Sequence, residues 1–284
     1  MQTISAEEIR RAVQSALAED VGPGDATTLA TIPEEHTASA KMVAREKLTL
    51  AGITFAAETF RQLSSVLNLQ QLHQDGETLA RGETILRVQG NARAILTAER
   101  VALNFAQRLS GVATLTRTFV EAIAGTRAVI LDTRKTTPGW RAFEKYAVSC
   151  GGGQNHRFGL HDLILIKDNH LAALRDASPN AIAAAVHLAR AKYPGLEVEV
   201  EADTLSQFTQ ALDAGADIIL LDNMQLDELR TAVNDCAGRA RLEASGGVNL
   251  HTVRAIAETG VDYISVGAIT HSAPAVDIGL DFES

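Results

Sequence analysis

The stretch EVEVEADTLSQFTQALDAGADIILLDNMQLDELRTAVNDCAGRARLEASGGVNLHTVRAIAETGVDYISVGAI, residues 197–269, alternates between two patterns. EVEVEAD, DIILLDNM, RLEASGGV and DYISVGAI are short apolar runs rich in Ile, Leu and Val. Between them TLSQFTQALDAG, QLDELRTAVNDCAG and NLHTVRAIAETG place apolar residues at helical spacing and end in glycine, the residue that a helix C-terminus favours. Strand, helix, strand, helix is the pattern of a parallel sheet with crossover helices. Upstream, AVILDTRK (128–135) and LILIKDNH (163–170) extend the series, with a helix over about 180–192. An open doubly wound sheet fits this rhythm too. However, no G-x-G-x-x-G follows any strand, and polar residues end strand after strand, which favours a barrel whose strand ends converge on one mouth. The remaining length holds six or seven strands, fewer than the usual eight.

Before residue 110 the character differs. The opening MQTISAEEIRRAVQSALAED predicts an amphipathic helix with Ile9, Val13 and Leu17 on one side, and lacks the apolar run of a signal peptide. TASAKMVARE and LTLAGI read as strands and ITFAAETFRQLSSVL as a helix. QDGETLARGETILRVQG shows alternating stretches cut by Asp75-Gly76, Arg81-Gly82 and Gly90, as antiparallel strands with tight turns do. A helix over about 97–124 leads onward. The fold class expected is therefore α/β. A sandwich-like α+β domain (1–110) precedes a short α/β barrel of six or seven strands (111–273), and the tail 274–284 is expected to pack with the first domain.

The chain of 284 residues is 46% hydrophobic and 21% charged, as soluble globular proteins are, and its longest apolar runs are strand-sized. No membrane span is expected, and a cytoplasmic location follows. Cys150 and Cys236 are too few for a disulfide framework, and no Cys/His cluster has structural zinc spacing. A net charge of −9 argues against a nucleic-acid surface, so a local crowd of cations is informative.

Such a crowd lies at Arg134, Lys135, His156, Arg157 and Lys167, near the ends of the early strands. Arginine forks match carboxylate or phosphate oxygens and lysine adds a point charge, so these residues suit a multiply charged anion. The middle strands end in Glu201 and Asp222, carboxylates suited to a divalent cation held with substrate oxygens or to ribose hydroxyls. The late strands end in Ser245-Gly246-Gly247 and Ser265-Val266-Gly267-Ala268, glycine turns before helices that let backbone N–H groups approach a phosphate. Taken singly, a charged residue after a strand is more often just a solvated loop start. Together they describe an enzyme joining a small polyanion to a sugar phosphate. They do not choose the reaction: a Schiff-base aldolase using Lys135 or Lys167, or a phosphate-binding module without catalysis, stays open.

DTRKTTPGWRAFEKYAVSCGGGQNHRFGLHDLILIKDNH, residues 132–170, resembles the signature of the quinolinate phosphoribosyltransferases. AERVALNFAQRLSGVAT, EVEVE, GADIILLDNM, SGGV and TGVDYISVGA extend the resemblance over most of the chain. Trp140, in place of a smaller aliphatic residue, and SGGV, in place of an SGN-type turn, depart from the family pattern. The resemblance implies an enzyme of NAD biosynthesis that takes quinolinate and phosphoribosyl pyrophosphate to nicotinate mononucleotide, carbon dioxide and pyrophosphate. It implies Mg²⁺ as cofactor, and a homodimer in which Arg100 reaches the partner subunit's site. Thr133, Arg134, Lys135, His156, Arg157 and Lys167 would then hold quinolinate. Glu201 and Asp222 would serve ribose and Mg²⁺, directly or through substrate or water. Ser245, Gly246, Gly247, Val266, Gly267 and Ala268 would hold the 5′-phosphate. Lys135, Lys167, Glu201 and Asp222 are the catalytic candidates.

Overall fold

The computed structural model describes residues 4–283. In chain order the elements are α1 (Ala6–Val21), α2 (Ala26–Thr31), β1 (Thr37–Ala44), β2 (Leu48–Thr49), α3 (Ile53–Leu63), β3 (Asn68–Gln71), β4 (Thr78–Leu79), β5 (Thr84–Asn91), α4 (Ala92–Ala122), β6 (Val129–Leu131), α5 (Arg141–Cys150) and β7 (Ile164–Ile166). There follow α6 (Asp168–Ala172), α7 (Ala181–Lys192), β8 (Val198–Ala202), α8 (Leu205–Asp213), β9 (Ile218–Asp222), α9 (Leu226–Cys236), β10 (Arg241–Ser245), α10 (Val253–Ala257), β11 (Tyr263–Ser265), α11 (Ala268–His271) and β12 (Ile278–Glu283). They divide into two compact units. One comprises residues 1–117, 142–152 and 272–284, and the other residues 118–141 and 153–271.

The first unit is built on an antiparallel sheet of order β12-β1-β5-β3. Met42, Leu86 and Val88 on its strands are fully buried, and they join Phe60 of α3 and Ile95, Ala98 and Ala102 of α4 in one apolar core. The last strand, β12, pairs along β1 from Ser39↔Glu283 to Ala44↔Ile278, so residues at opposite ends of the sequence share one sheet. In α1, Val13 and Leu17 are buried, and a capping box between Ser5 and Glu8 starts the helix. The apolar run expected to continue as helix to Leu67 stops at Leu63. Ser64 turns extended, Val66 points to solvent, and Leu67 packs into the core from this non-helical segment. Asp75 caps α3 by accepting from the Gly52 and Ile53 N–H groups, and it also accepts from the Tyr146 hydroxyl of α5.

The second unit holds a six-stranded parallel sheet of order β6-β11-β10-β9-β8-β7. Its strands are those the sequence rhythm predicts, and each crossover right of β8 carries one helix. Gly215, Gly238 and Gly260, just beyond α8, α9 and α10, all have positive φ, the left-handed turn that stops a helix. β6 and β7 are the two edges of the order. Gln154 forms an isolated parallel bridge with Leu131 at the edge of β6. Among the described residues no helix is long and apolar enough to cross a membrane.

One close contact in the first unit makes a test. Gly111 lies inside α4, where alanine ordinarily stabilises a helix by about 1 kcal/mol. Here a Cβ would stand 2.0 Å from the carbonyl oxygen of Pro274, on the segment that leads into β12. Gly111→Ala is therefore expected to destabilise by roughly 1–3 kcal/mol, read as a lower denaturation midpoint in urea.

Candidate active site

In a strand, alternate residues face the same side. Leu165 and Lys167, Glu199 and Glu201, Leu220 and Asp222, Glu243 and Ser245, and Tyr263 and Ser265 are such pairs on five consecutive elements. Register aligns them, with Glu201 opposite Leu220, Leu220 opposite Glu243, and Glu243 opposite Tyr263. The outcome is a pocket of about 280 Å³. Its lining comprises Thr133, Arg134, Lys135, His156, Arg157, Leu165, Lys167, Glu201, Leu220, Asp222, Glu243, Ser245 and Ser265.

The cationic side is held by the loops after β6 and α5. Arg141 donates to the Thr136 hydroxyl at 3.1 Å and to the Phe158 carbonyl at 3.1 Å, tying the loop that carries Arg134 and Lys135 to the one that carries Arg157. Thr270 of α11 donates to the Lys135 carbonyl at 2.7 Å. A Cβ on Gly267 would meet the Lys135 side chain at 3.3 Å, so a larger residue would crowd that lysine. The fully buried Asp132 accepts from the His156 backbone N–H at 2.9 Å and from the Asn155 amide at 2.8 Å, which fixes the start of this segment. Burial, with Arg134 nearby, pulls the Arg157 guanidinium below its ordinary pKa.

The anionic side begins with an ion pair between Lys167 and Glu201. Glu201, Asp203 and Asp222 bring one carboxylate oxygen each to within 4.8 Å of one another. Ser245 belongs to the pocket, but Gly246 and Gly247 line a neighbouring cavity with Asn223, His251 and Thr252. At Gly246, with φ +94°, a Cβ would fall 2.1 Å from the Asn223 side-chain oxygen, so only glycine fits. Val266, Gly267 and Ala268 stand at the β11–α11 turn beside the pocket residue Ser265, outside its lining. Arg100 is exposed on α4 in the first unit and does not line the pocket. His170 accepts from the Lys167 backbone N–H at 3.0 Å and caps α6.

Three polar residues at the site are not singled out by the sequence: Asp132, Glu199 and Glu243. A signal is present for the last two, since each lies two residues before a strand end marked for chemistry, Glu201 and Ser245. Glu199 and Glu243 are buried, and His156 Nε2 lies 2.9 Å from Glu199 Oε2 and 3.5 Å from Glu243 Oε2. The Ser265 hydroxyl donates to Glu243 Oε1.

The chain matches the model of the quinolinate phosphoribosyl transferase C-terminal domain over residues 112–281 and that of the N-terminal domain over residues 25–110. It is 44% identical over 278 residues to the nicotinate-nucleotide pyrophosphorylase [carboxylating] of Mycobacterium leprae, covering 96% of both chains. A probable enzyme of the same name from Bacillus subtilis is 42% identical, over 96% of this chain and 93% of its own. The solved nicotinate-nucleotide pyrophosphorylase from Francisella tularensis superposes with a TM-score of 0.93 at 41% identity, over 99% of this chain and 98% of its own. Fold and pocket are those of an anion-binding α/β enzyme. The chain belongs to the quinolinate phosphoribosyltransferase family.

Burial and the neighbouring Glu199 push the Glu243 carboxyl up to about 8 from its ordinary 4.5. Between those values the folded protein keeps a proton that the unfolded chain has released, so this group's contribution to stability falls as pH rises across that window. Glu243→Gln removes the titrating group. Its melting temperature relative to wild type is expected to climb steadily from about pH 5 to about pH 8. A difference that stays flat with pH would contradict the assignment.

Proposed function

We propose that this chain converts quinolinate and phosphoribosyl pyrophosphate to nicotinate mononucleotide, carbon dioxide and pyrophosphate. The observation that carries the reading is one pocket lined by Arg134, Lys135, His156, Arg157 and Lys167 together with Glu201, which pairs with Lys167, and Asp222. A dicarboxylate needs the first set and a ribose bearing pyrophosphate needs the second. Residues from all six strands or their following loops line this pocket, which supports a sheet curved into a barrel.

Arg134 and Arg157 grip the two substrate carboxylates, with Lys135, His156 and Lys167 adding charge and Thr133 a hydroxyl. So oriented, the ring nitrogen attacks the anomeric carbon as its bond to pyrophosphate oxygen breaks. Glu201 and Asp222 hold the ribose and favour the positive charge that develops on it. Alkylation makes the ring nitrogen cationic. The bond from the adjacent ring carbon to its carboxylate then breaks, carbon dioxide leaves, and the electron pair stays on that carbon. A proton from Lys135 or Lys167 replaces it. Ser245, Gly246, Gly247, Val266, Gly267 and Ala268 form the 5′-phosphate side. Glu201, Asp203 and Asp222 offer a hard-oxygen donor set that fits Mg²⁺, held together with pyrophosphate oxygens directly or through water. Bound there, the ion would neutralise charge on the leaving group. The same reading makes the enzyme a homodimer in which the exposed Arg100 of each protomer completes the other's site. Its two free, buried cysteines suit the reducing cytoplasm.

Carboxyl-labelled quinolinate should release labelled carbon dioxide only when phosphoribosyl pyrophosphate is present, with nicotinate mononucleotide appearing in step. Release without the sugar donor, or none from folded protein, would move the substrate assignment elsewhere. Arg134→Ala and Arg157→Ala should each weaken quinolinate binding by about 2 kcal/mol or more, roughly thirtyfold, with little change in unfolding midpoint. Mixing Arg100→Ala protomers with Lys135→Ala protomers should restore activity through one intact site per heterodimer. No recovery would argue against shared sites.

A further inference from the structure

Arg141, the first residue of α5, lies outside the lining of the pocket, yet its guanidinium holds both loops that carry the pocket's arginines. Nε donates to the Thr136 hydroxyl at 3.1 Å, Nη2 to the Arg134 carbonyl at 3.4 Å and Nη1 to the Phe158 carbonyl at 3.1 Å. Each end of this bridge lands on a turn that is closed on itself. In one, the Lys135 N–H donates to the Thr133 hydroxyl at 3.1 Å and the Thr136 N–H to the Arg134 carbonyl at 3.0 Å. In the other, Asp162 accepts from the Phe158 and Gly159 N–H groups, and Arg157 Nη1 donates to the Leu163 carbonyl at 3.3 Å. Arg157 is thus fixed from both sides. The N–H of its predecessor His156 donates to Asp132, and the carbonyl of its successor Phe158 accepts from Arg141. Both anchors belong to the segment 132–141, which also carries Arg134.

We propose that Arg141 is a positioning residue that sets the spacing between Arg134 and Arg157, and so fits the pocket to two carboxylates on adjacent ring carbons. This rests on the reading of those two arginines as the grip on quinolinate. A guanidinium is planar and rigid, so acceptors held by separate nitrogens of one fork keep a set separation. Two arginines that meet two carboxylates at once make that separation matter. A carboxylate one ring carbon further away meets its arginine with fewer or bent hydrogen bonds. Arg141 supplies spacing rather than charge. A lysine in its place keeps the charge but ends in a single nitrogen, which cannot span Thr136 and Phe158 as the fork does.

The test is titration calorimetry with quinolinate and with its isomer pyridine-2,4-dicarboxylate, whose carboxylates stand one ring carbon further apart. Wild type, Arg141→Lys, Arg141→Gln and Thr136→Val are compared, with an unfolding midpoint in urea for each. Arg141→Lys and Arg141→Gln should both lose about tenfold in quinolinate affinity and less than about threefold for the isomer, with KM for phosphoribosyl pyrophosphate unchanged. Thr136→Val keeps Arg141 and removes one of its acceptors, so the same selective loss should appear at roughly threefold. No selective loss in Thr136→Val overturns the proposal even where the Arg141 variants fail to fold. Quinolinate affinity within about twofold of wild type in Arg141→Lys assigns the effect to charge and overturns the spacing role. Equal losses for both isomers make Arg141 a general structural tie and overturn it too. A wild type that binds the two isomers alike is a different failure: the pocket then does not read adjacent carboxylates, and the quinolinate assignment falls together with the spacing role.

Discussion

Charge placed inside a parallel sheet must be neutralised there, and that constraint organises the second unit. The inward faces of β8 and β10 carry Glu199 and Glu243, where a strand buried on both sides ordinarily carries Val or Leu. They are tolerated because His156 reaches Glu199 from the loop after α5, held by the backbone grip of Asp132. Asp132, itself buried, accepts from the His156 N–H and the Asn155 side-chain amide. Arg134, Lys135 and Arg157 line the pocket above it. Removing any member of this arrangement strands a buried charge, and breaking a buried pair ordinarily costs more than the pair contributes.

Much of this was legible in the sequence because the relevant signals are local. Apolar runs ending in a polar residue marked all six parallel strands, and nine of the residues chosen from strand ends or the loops between them line one pocket. The layer beneath was not picked out. Glu199 and Glu243 read as polar residues in the middle of strands, and only the two-residue period ties them to Glu201 and Ser245 on the same inward side. Nothing in the sequence marks Asp132, since its donors, the Asn155 side-chain amide and the His156 backbone N–H, lie 23 and 24 residues onward and leave no trace in spacing.

In the first unit, the short strands β3 and β4 carry little apolar pattern of their own. β3 reads Asn68-Leu69-Gln70-Gln71, and it is a strand because β5 is beside it. Tertiary pairing overrides a weak local preference in such cases. The end of α3 at Leu63 is the converse, a run with helical periodicity that turns extended at Ser64 and still buries Leu67 in the core.

The pairing of β1 with β12 has a kinetic consequence. Ser39 and Glu283 meet across 244 positions of sequence, and every strand of the parallel sheet lies between them. A nascent chain emerging from the ribosome can assemble the second unit while β1 still presents an unpaired edge. The first sheet is the last to be completed, although three of its four strands are made before any strand of the parallel sheet. Loop closure over such a span is slow and exposes strand edges while it lasts. A growing chain is therefore most open to edge-to-edge association, or to capture by a chaperone, along β1.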